Sequence, residues 1–147
     1  KHRGNRFLTV IQYCLDLELA IGSFAQALAP NGLLIMILGR ESRVRGIPFG
    51  NSAIAEALIE RSGAYSRSIS HERVFVNRYG QSIFEDILIA RRTNDPTIGE
   101  SARDVASSVL QRALADADGD VRANIEEALG LVGSIQPSPI FNKTALI

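Results

Sequence analysis

The residues best suited to chemistry lie in a short polar segment, residues 39–50, which holds three arginines, three glycines and one proline. Guanidinium groups bind phosphates and carboxylates through paired hydrogen bonds. Arg40, Arg43 and Arg45 are therefore candidates for binding an anionic substrate. The alternative is that all three are solvated loop charges without a ligand.

Two single residues are less suited to catalysis. Cys14 lies on an apolar stripe with no base beside it, so we expect a small core residue rather than a nucleophile. His71 has no second metal ligand in its neighbourhood of the sequence. We expect it to be a polar residue of a strand, not a catalytic or metal-binding group.

Four acidic residues near the C-terminus match positions 1, 3, 5 and 12 of a calcium-binding loop. They are Asp116, Asp118, Asp120 and Glu127. The sixth position, where that loop requires glycine, holds Val121, and the glycine falls earlier, at Gly119. We therefore favour helix capping, because carboxylates stabilise helix N-termini.

Composition limits the class of protein. The chain has 147 residues, 46% of them hydrophobic, and a net charge of zero, which indicates a globular protein with a real core. Its single cysteine excludes an internal disulfide and favours a reducing, cytoplasmic setting. No uninterrupted apolar run is long enough to span a bilayer, so we expect no membrane partner. The chain begins with Lys1 rather than Met, as a piece of a longer protein would.

A strand predicted at residues 33–38 positions the arginine segment. These six residues are all apolar, between a Pro-Asn-Gly turn and Gly39. A short run with such sharp limits predicts a strand buried on both faces, as in the centre of a parallel sheet. Because ligands of open α/β sheets bind beyond the carboxyl ends of the strands, the loop at 39–50 lies where a ligand is expected.

Other elements follow from periodicity. Apolar residues at alternating steps of three and four predict a helix over residues 5–29. A second helix begins with a cap at Asn51 or Ser52 and ends at Gly63. Strands are predicted at residues 65–76 and 82–90. The turn at residues 77–80 allows these two strands to pair antiparallel.

The C-terminal third has a different pattern. Residues 94–96, Asn-Asp-Pro, form the best domain boundary, and residues 97–100 fit a capping box. Two apolar-striped segments around an Asp-Gly-Asp turn then predict an antiparallel helical hairpin. We expect an α/β unit at 1–93 and a helical hairpin with an extended tail at 94–147.

Residues 5–92 resemble the C-terminal half of class I S-adenosylmethionine-dependent methyltransferases. They look most like the DNA modification methylases that act on the amino groups of adenine or cytosine. The turn and strand at 28–39 are similar to that family's fifth strand, and residues 46–64 are similar to the loop and helix after it. Residues 73–92 look like the closing hairpin. The family's glycine-rich cofactor loop and its Pro-Pro-aromatic motif are absent from this sequence.

The resemblance implies a partial Rossmann-like methyltransferase fold. In it, a three-stranded mixed sheet has the strand at 82–90 in the centre and the strand at 33–38 at one edge. That edge would be covered by a second copy or by the tail. The resemblance also implies that the loop after the fifth strand and the turn near residue 78 face the substrate. The substrate-binding residues it implies are Arg40, Ser42, Arg43, Arg45, Asn51, Arg78 and Tyr79.

The function implied by the resemblance is part of a DNA methyltransferase of the restriction-modification type, acting by N-methylation of amino groups. S-adenosylmethionine is the cofactor of the complete enzyme, whereas this chain alone is expected to bind no cofactor and to be inactive, with no catalytic residue of its own. The expected partners are DNA and a missing N-terminal half, or a second copy bound through residues 33–38. The alternatives are a non-enzymatic interaction or dimerisation module and half of an RNA methyltransferase.

Overall fold

The computed structural model describes residues 4–66, 68–93 and 101–139. Within these ranges the chain is an α/β protein with four α-helices, a three-stranded sheet and a two-stranded sheet. In chain order the elements are α1 (Leu8–Ala27), β1 (Leu33–Gly39), β2 (Glu41–Val44), β3 (Ile47–Gly50), α2 (Asn51–Arg61), β4 (Ile69–Val76), β5 (Ser82–Arg91), α3 (Ala102–Ala113), a 3₁₀ turn (Leu114–Asp116) and α4 (Gly119–Leu131).

Helix α1 forms the centre of the core, as its periodicity predicts. Phe7, Ile11 and Cys14 are fully buried, and α1 packs against both α2 and α3. By length and composition alone α1 could cross a membrane. Its apolar stripe is instead part of the core. Its carboxylates at Asp16 and Glu18 accept hydrogen bonds from the C-terminal part of the chain.

The turn between α1 and β1 depends on two backbone features. Asn31 has a positive φ of 62°, which asparagine tolerates better than most residues. A Cβ at Gly32 would lie 2.8 Å from the carbonyl oxygen of Ala29, so a side chain does not fit there. The Pro-Asn-Gly turn predicted before the strand is therefore confirmed.

The three-stranded sheet has the order β1-β5-β4. In its register Met36 lies opposite Leu88 on β5, and Ser70 of β4 pairs with Leu88 from the other side. The predicted order, with β5 central and β1 at an edge, is confirmed. The prediction of a mixed sheet is wrong, because both pairings are antiparallel. β1 and β4, which run parallel to each other, are not neighbours.

Only one face of β1 is buried. Leu34 is 7% exposed, whereas Leu33, Ile35 and Ile37 are 46%, 58% and 54% exposed. The prediction of a strand buried on both faces is wrong. Helix α2 packs against the side of β1 and β5 that carries Leu34, and within the described residues no element covers the other side.

The segment predicted as an irregular loop, residues 39–50, is a β-hairpin of β2 and β3. Arg45 and Gly46 have φ values of 51° and 88°, so both central residues of the turn are left-handed. Two such residues form the tight turn that matches the twist of paired strands. The prediction of a loop is therefore wrong. The two residues of the hairpin turn between Val44 and Ile47 are Arg-Gly, and this pair lacks the asparagine or aspartate by which such turns are usually recognised in a sequence.

Helix α2 begins directly after this hairpin. Its cap is Gly50, with no side-chain hydrogen bond, so the predicted cap at Asn51 or Ser52 is wrong by one or two residues. The helix ends at Arg61, and Gly63 follows with a φ of 67°, as predicted.

Strand β4 begins at Ile69, four residues later than predicted. Before it, Tyr65 makes a single bridge to Arg92 and donates its hydroxyl to the carbonyl of Ile21, at 3.0 Å. The turn between β4 and β5 is confirmed, with the amide of Asn77 donating to the carbonyl of Gln81 at 2.9 Å.

Helices α3 and α4 form the predicted antiparallel hairpin, since Arg103 at the start of α3 donates to carbonyls of Val132 and Ile135 after α4. Residues of this hairpin share one hydrophobic core with α1 and α2. The carboxylate of Glu18 accepts from the amides of Ser101 and Ala102, and so caps α3 from another helix. The boundary predicted at residues 94–96, the capping box at 97–100 and the chain end at 140–147 lie outside the described residues.

Candidate functional site

The carboxyl end of β1 is held against α2 by Asn51. The side-chain amide of Asn51 donates to the carbonyl of Gly39 at 3.0 Å and to the hydroxyl of Ser42 at 2.8 Å. Its backbone amide donates to the carbonyl of Arg40 at 2.9 Å. These bonds fix the base of the β2–β3 hairpin. The structure therefore brings Ser42 and Asn51, two predicted substrate-binding residues, into direct contact.

Arg40 is engaged by protein groups on all sides. Its guanidinium contacts Asp86 and Glu72, each with Nη2 at 2.9 Å from a carboxylate oxygen, and lies 5.3 Å from the ring centre of Phe84. The side chain thus links the end of β1 to both other strands of the sheet. Two carboxylates already neutralise the charge proposed for phosphate binding.

Asp86 is the buried partner in this cluster. It is 8% exposed and also accepts a hydrogen bond from the hydroxyl of Ser52, at 2.5 Å. Hydrogen bonds from Arg40 hold the pKa of Asp86 below its usual value, against the opposing effect of burial. The side chain is therefore an ionised structural anchor beneath the hairpin.

The remaining arginines of the hairpin are exposed. Arg43 pairs with Glu41 at 2.9 Å and reaches the carbonyl of Gly46. Arg45 occupies the turn, and the structure gives its side chain no hydrogen bond or ion pair with a described residue. Of the three arginines that the sequence singled out, Arg45 is the one left with its charge available.

Arg78 and Tyr79 lie elsewhere, at the tip of the β4–β5 turn. The guanidinium of Arg78 stacks on the ring of Tyr79 at 4.7 Å, and Tyr79 is 70% exposed. This tip is at the same end of the sheet as the β2–β3 hairpin, because β1 and β4 both end there. Among described residues, no hydrogen bond or ion pair joins the tip to that hairpin.

A cleft beside the hairpin contains further polar groups. It has a volume of about 220 Å³ and lies between α1, the hairpin and the first turn of α2. Tyr13 lines it together with Ser42 and Asn51. Burial, with a smaller contribution from Cys14, raises the pKa of Tyr13, so its hydroxyl remains a protonated hydrogen-bond donor at neutral pH. Sequence reasoning missed Tyr13, because a tyrosine beside the apolar stripe of a predicted helix gives no sign of a cleft.

The other single candidates are structural. Cys14 is fully buried, and burial, helped by nearby Glu18, raises the pKa of its thiol to about 12. His71 is exposed in the middle of β4, opposite Ile87. Within the described ranges, no group of three or more His, Cys, Asp or Glu side chains is arranged to hold a metal ion.

Two of the C-terminal carboxylates lie at the start of α4, and Glu127 lies farther along the helix. Asp118 occupies the N-cap position of α4, though without a side-chain capping bond, and Asp120 lies in the first turn. Glu127 accepts a hydrogen bond from Asn5 at 3.0 Å. Asp118 and Asp120 therefore lie where helix-capping carboxylates are expected, whereas Glu127 does not, and no side-chain capping bond is present at Asp118.

In comparisons with known proteins, no family model, curated protein or solved structure matches the chain. The local chemistry is therefore the basis for assigning a role. Among the described residues that line the cleft, the polar side chains are those of Thr9, Tyr13, Ser42 and Asn51, and none is a carboxylate. Its hydroxyls, amide and aromatic ring are suited to a neutral, hydrogen-bonding planar group.

Proposed function

We propose that this chain supplies the substrate-side half of an S-adenosylmethionine-dependent DNA methyltransferase of the restriction-modification type, which transfers a methyl group to an amino group of adenine or cytosine. The observation that carries the proposal is the sheet order β1-β5-β4, with β5 antiparallel between the other two strands. This is the order that the resemblance of residues 5–92 implied for the end of the domain.

The uncovered side of β1 supports the same proposal. A groove of about 460 Å³ runs along β1 beside Phe24 of α1 and Leu28, the residue that follows the helix. Apolar surface of this kind is costly in water, and an unpaired strand edge is a template for another strand. The rest of the methyltransferase domain would continue the sheet at this edge and supply the cofactor site, which the described residues do not form.

The cleft at Tyr13, Ser42 and Asn51 would then form one wall of the pocket for the target base. A base in duplex DNA has to leave the stack before its amino group can react. Such a wall contributes by orienting the base and by excluding water, with no proton transfer or nucleophile of its own. No residue of this chain is assigned a catalytic role.

The test uses the natural gene product that contains these residues. It is incubated with S-adenosylmethionine carrying a tritiated methyl group and with duplex DNA or structured RNA. We expect label in the amino groups of DNA bases, and no label in RNA. Label in RNA alone would support the alternative of an RNA methyltransferase, and label in neither would contradict methyl transfer. For the 147-residue chain, calorimetry should detect no cofactor binding.

A matched pair of variants tests the cleft. Asn51→Ala removes a side chain that anchors the hairpin beside the cleft, and we expect methylation to fall at least about tenfold, as for loss of a positioning contact. Asn124→Ala is the control, since the amide of Asn124 also donates to a backbone carbonyl, that of Asp120 on α4. Equal effects of the two substitutions would contradict a substrate role for the cleft.

A second candidate, a non-enzymatic interaction or dimerisation module, is favoured by the same exposed aliphatic residues. It would use the edge of β1 to bind a second copy. Sedimentation of the 147-residue chain over a hundredfold concentration range distinguishes the two functions. A stable dimer together with absence of methylation by the natural gene product would favour the module.

A further inference from the structure

The β4–β5 arm, defined as residues 73–84, is exposed on both of its faces. Val74 and Phe84 lie opposite each other on one face and are 49% and 46% exposed. Phe75, on the other face, is 37% exposed. Val76, on the same face as Val74, is 65% exposed. A hairpin that only completed a core would bury one face. The described residues therefore leave this arm available as a binding surface.

The arm is also positively charged. Its twelve residues include Arg73 and Arg78 and no aspartate or glutamate. Glu85, just beyond the arm, is 3.6 Å from Arg73. No described carboxylate forms an ion pair with Arg78. The charge at the tip is therefore complementary to a polyanion.

Three arginines in and beside the arm lie over aromatic rings. Arg73 is 5.2 Å from the ring centre of Phe75, Arg78 is 4.7 Å from that of Tyr79, and Arg40 lies over Phe84. Stacking orients the guanidinium plane while leaving its N–H donors at the edge. Carboxylates already pair with Arg40 and Arg73, so among these three Arg78 is the planar cation that is available for paired hydrogen bonds with phosphate oxygens.

The tip has a defined shape. The side-chain oxygen of Asn77 accepts hydrogen bonds from the amides of Tyr79, at 2.9 Å, and Gln81, at 3.1 Å. Gly80 has a φ of 77°, which closes the turn. Since these bonds order the backbone, a ligand would bind Arg78 and Tyr79 with little loss of loop entropy.

From these observations we infer that the β4–β5 arm docks on the phosphate backbone of duplex DNA, with Arg78 as its main phosphate contact and Tyr79 as the residue that positions it. The choice of DNA rests on the proposed function. The exposed apolar groups beside the arginines would pack on the sugars of the DNA backbone. The cleft near Tyr13 lies at the same end of the sheet as the arm. The contact is independent of sequence and anchors the duplex beside the target base.

The experiment measures binding of the 147-residue chain to a fluorescein-labelled duplex by anisotropy, over a series of salt concentrations. Each phosphate contact adds about one unit to the slope of log affinity against log salt. We expect Arg78→Ala to lower that slope by about one and Arg78→Glu to weaken binding about tenfold or more. Tyr79→Ala should weaken it several-fold, and Tyr79→Phe, which keeps the ring, should restore it.

Arg112→Ala and Arg112→Glu are the controls, because Arg112 is an exposed arginine on α3 with the same change in net charge. Equal weakening by the Arg112 and Arg78 variants would overturn the inference. So would binding that the Arg78 variants do not change, or competition by polyglutamate as strong as that by unlabelled duplex, which would indicate an acidic protein as partner. Circular dichroism confirms that each variant is folded.

Methyl transfer by the natural gene product separates this inference from the proposed function. Duplex binding that depends on Arg78, without methylation, would support the arm and contradict the methyltransferase. Methylation that Arg78→Ala leaves unchanged at low salt and sub-saturating DNA, where a phosphate contact contributes most, would support the methyltransferase and contradict the arm.

Discussion

The two faces of the three-stranded sheet carry similar aliphatic side chains in very different surroundings. On the inner face Leu34 and Leu88 are 7% and 1% exposed. On the outer face Ile35, Ile37 and Ile69 are 58%, 54% and 60% exposed. Both sets alternate along the same strands, so side-chain type does not distinguish the faces. What distinguishes them is the packing of α2, which covers one side only.

This difference separates stability from recognition. The inner face belongs to the single core cluster and is expected to account for folding, since burial of apolar area is the main favourable term. The outer face stabilises little in the isolated chain, and it keeps a surface on which another segment or chain gains burial. The predictions below test that separation, in order of decreasing effect.

The largest effect concerns thiol reactivity. With a pKa near 12, Cys14 has a thiolate fraction at pH 8 about a thousandfold below that of an ordinary thiol, and its burial also blocks access. A thiol placed on the outer face by Ile37→Cys, in a Cys14→Ala background, should react at the ordinary rate. Alkylation by iodoacetamide, followed by mass spectrometry, measures both rates. Comparable rates in the folded chains would contradict the assignment of Cys14 to the core and of Ile37 to an exposed face.

Core truncation gives the next largest effect. Leu88→Ala removes a fully buried side chain from β5 and should lower the free energy of unfolding by about 3 kcal/mol. Ile35→Ala, on the exposed face, should lower it by less than about 1 kcal/mol. Urea unfolding monitored by circular dichroism measures both. A loss at Ile35 as large as that at Leu88 would show that the outer face is buried in the folded chain.

The pH dependence of stability should differ between neighbouring carboxylates of the two faces. The pKa of Asp86 is lowered in the folded state, so its contribution is present above its ordinary value near 4 and is lost as pH falls through the lowered pKa. Asp86→Asn should remove part of the acid-induced loss of stability. Glu85→Gln, at a partly exposed and longer pair with Arg73, should change the profile less. Thermal unfolding between pH 2 and pH 7 tests this, and parallel profiles for all three proteins would refute it.

The smallest effect on stability is expected for a charge on the outer face. Ile37→Lys should change the free energy of unfolding by about 0.5 kcal/mol or less, because the side chain is largely exposed. It should nevertheless reduce any self-association, since a charge blocks edge-to-edge pairing. Light scattering at increasing concentration provides the measurement. If the unsubstituted chain self-associates and Ile37→Lys leaves its apparent mass unchanged, the copies must contact each other through another surface.

Much of the fold could be predicted because its signals are local. The three-and-four spacing of α1, the apolar run of β1 and the turn before β5 each depend on neighbouring residues. The β2–β3 hairpin was missed because Arg45 adopts a positive φ that its residue type does not favour. The start of β4 at Ile69 also depends on distant residues: before it, Tyr65 makes only an isolated bridge to Arg92 and bonds the carbonyl of Ile21.

The candidate site was only partly accessible to sequence reasoning. The arginine-rich segment drew attention to the correct end of β1, and Ser42 and Asn51 do meet there. The sequence alone could not predict which arginines would pair with carboxylates and which would not. Arg40 is neutralised by Glu72 and Asp86, both more than thirty residues away, whereas Arg45 and Arg78 have no such partner among the described residues.

By itself the sequence determined the local elements of this protein and the place of Cys14 on the apolar stripe of α1, and the predicted central position of β5 matches the observed strand order. Only the tertiary structure decided which face of the sheet is buried, which arginines form no ion pair with a described residue, and that Tyr13 borders a cleft. The physical reason is the separation along the sequence over which each interaction acts. Helix periodicity and turn chemistry act over a few residues, while burial and ion pairing depend on groups that the fold brings together from distant parts of the chain.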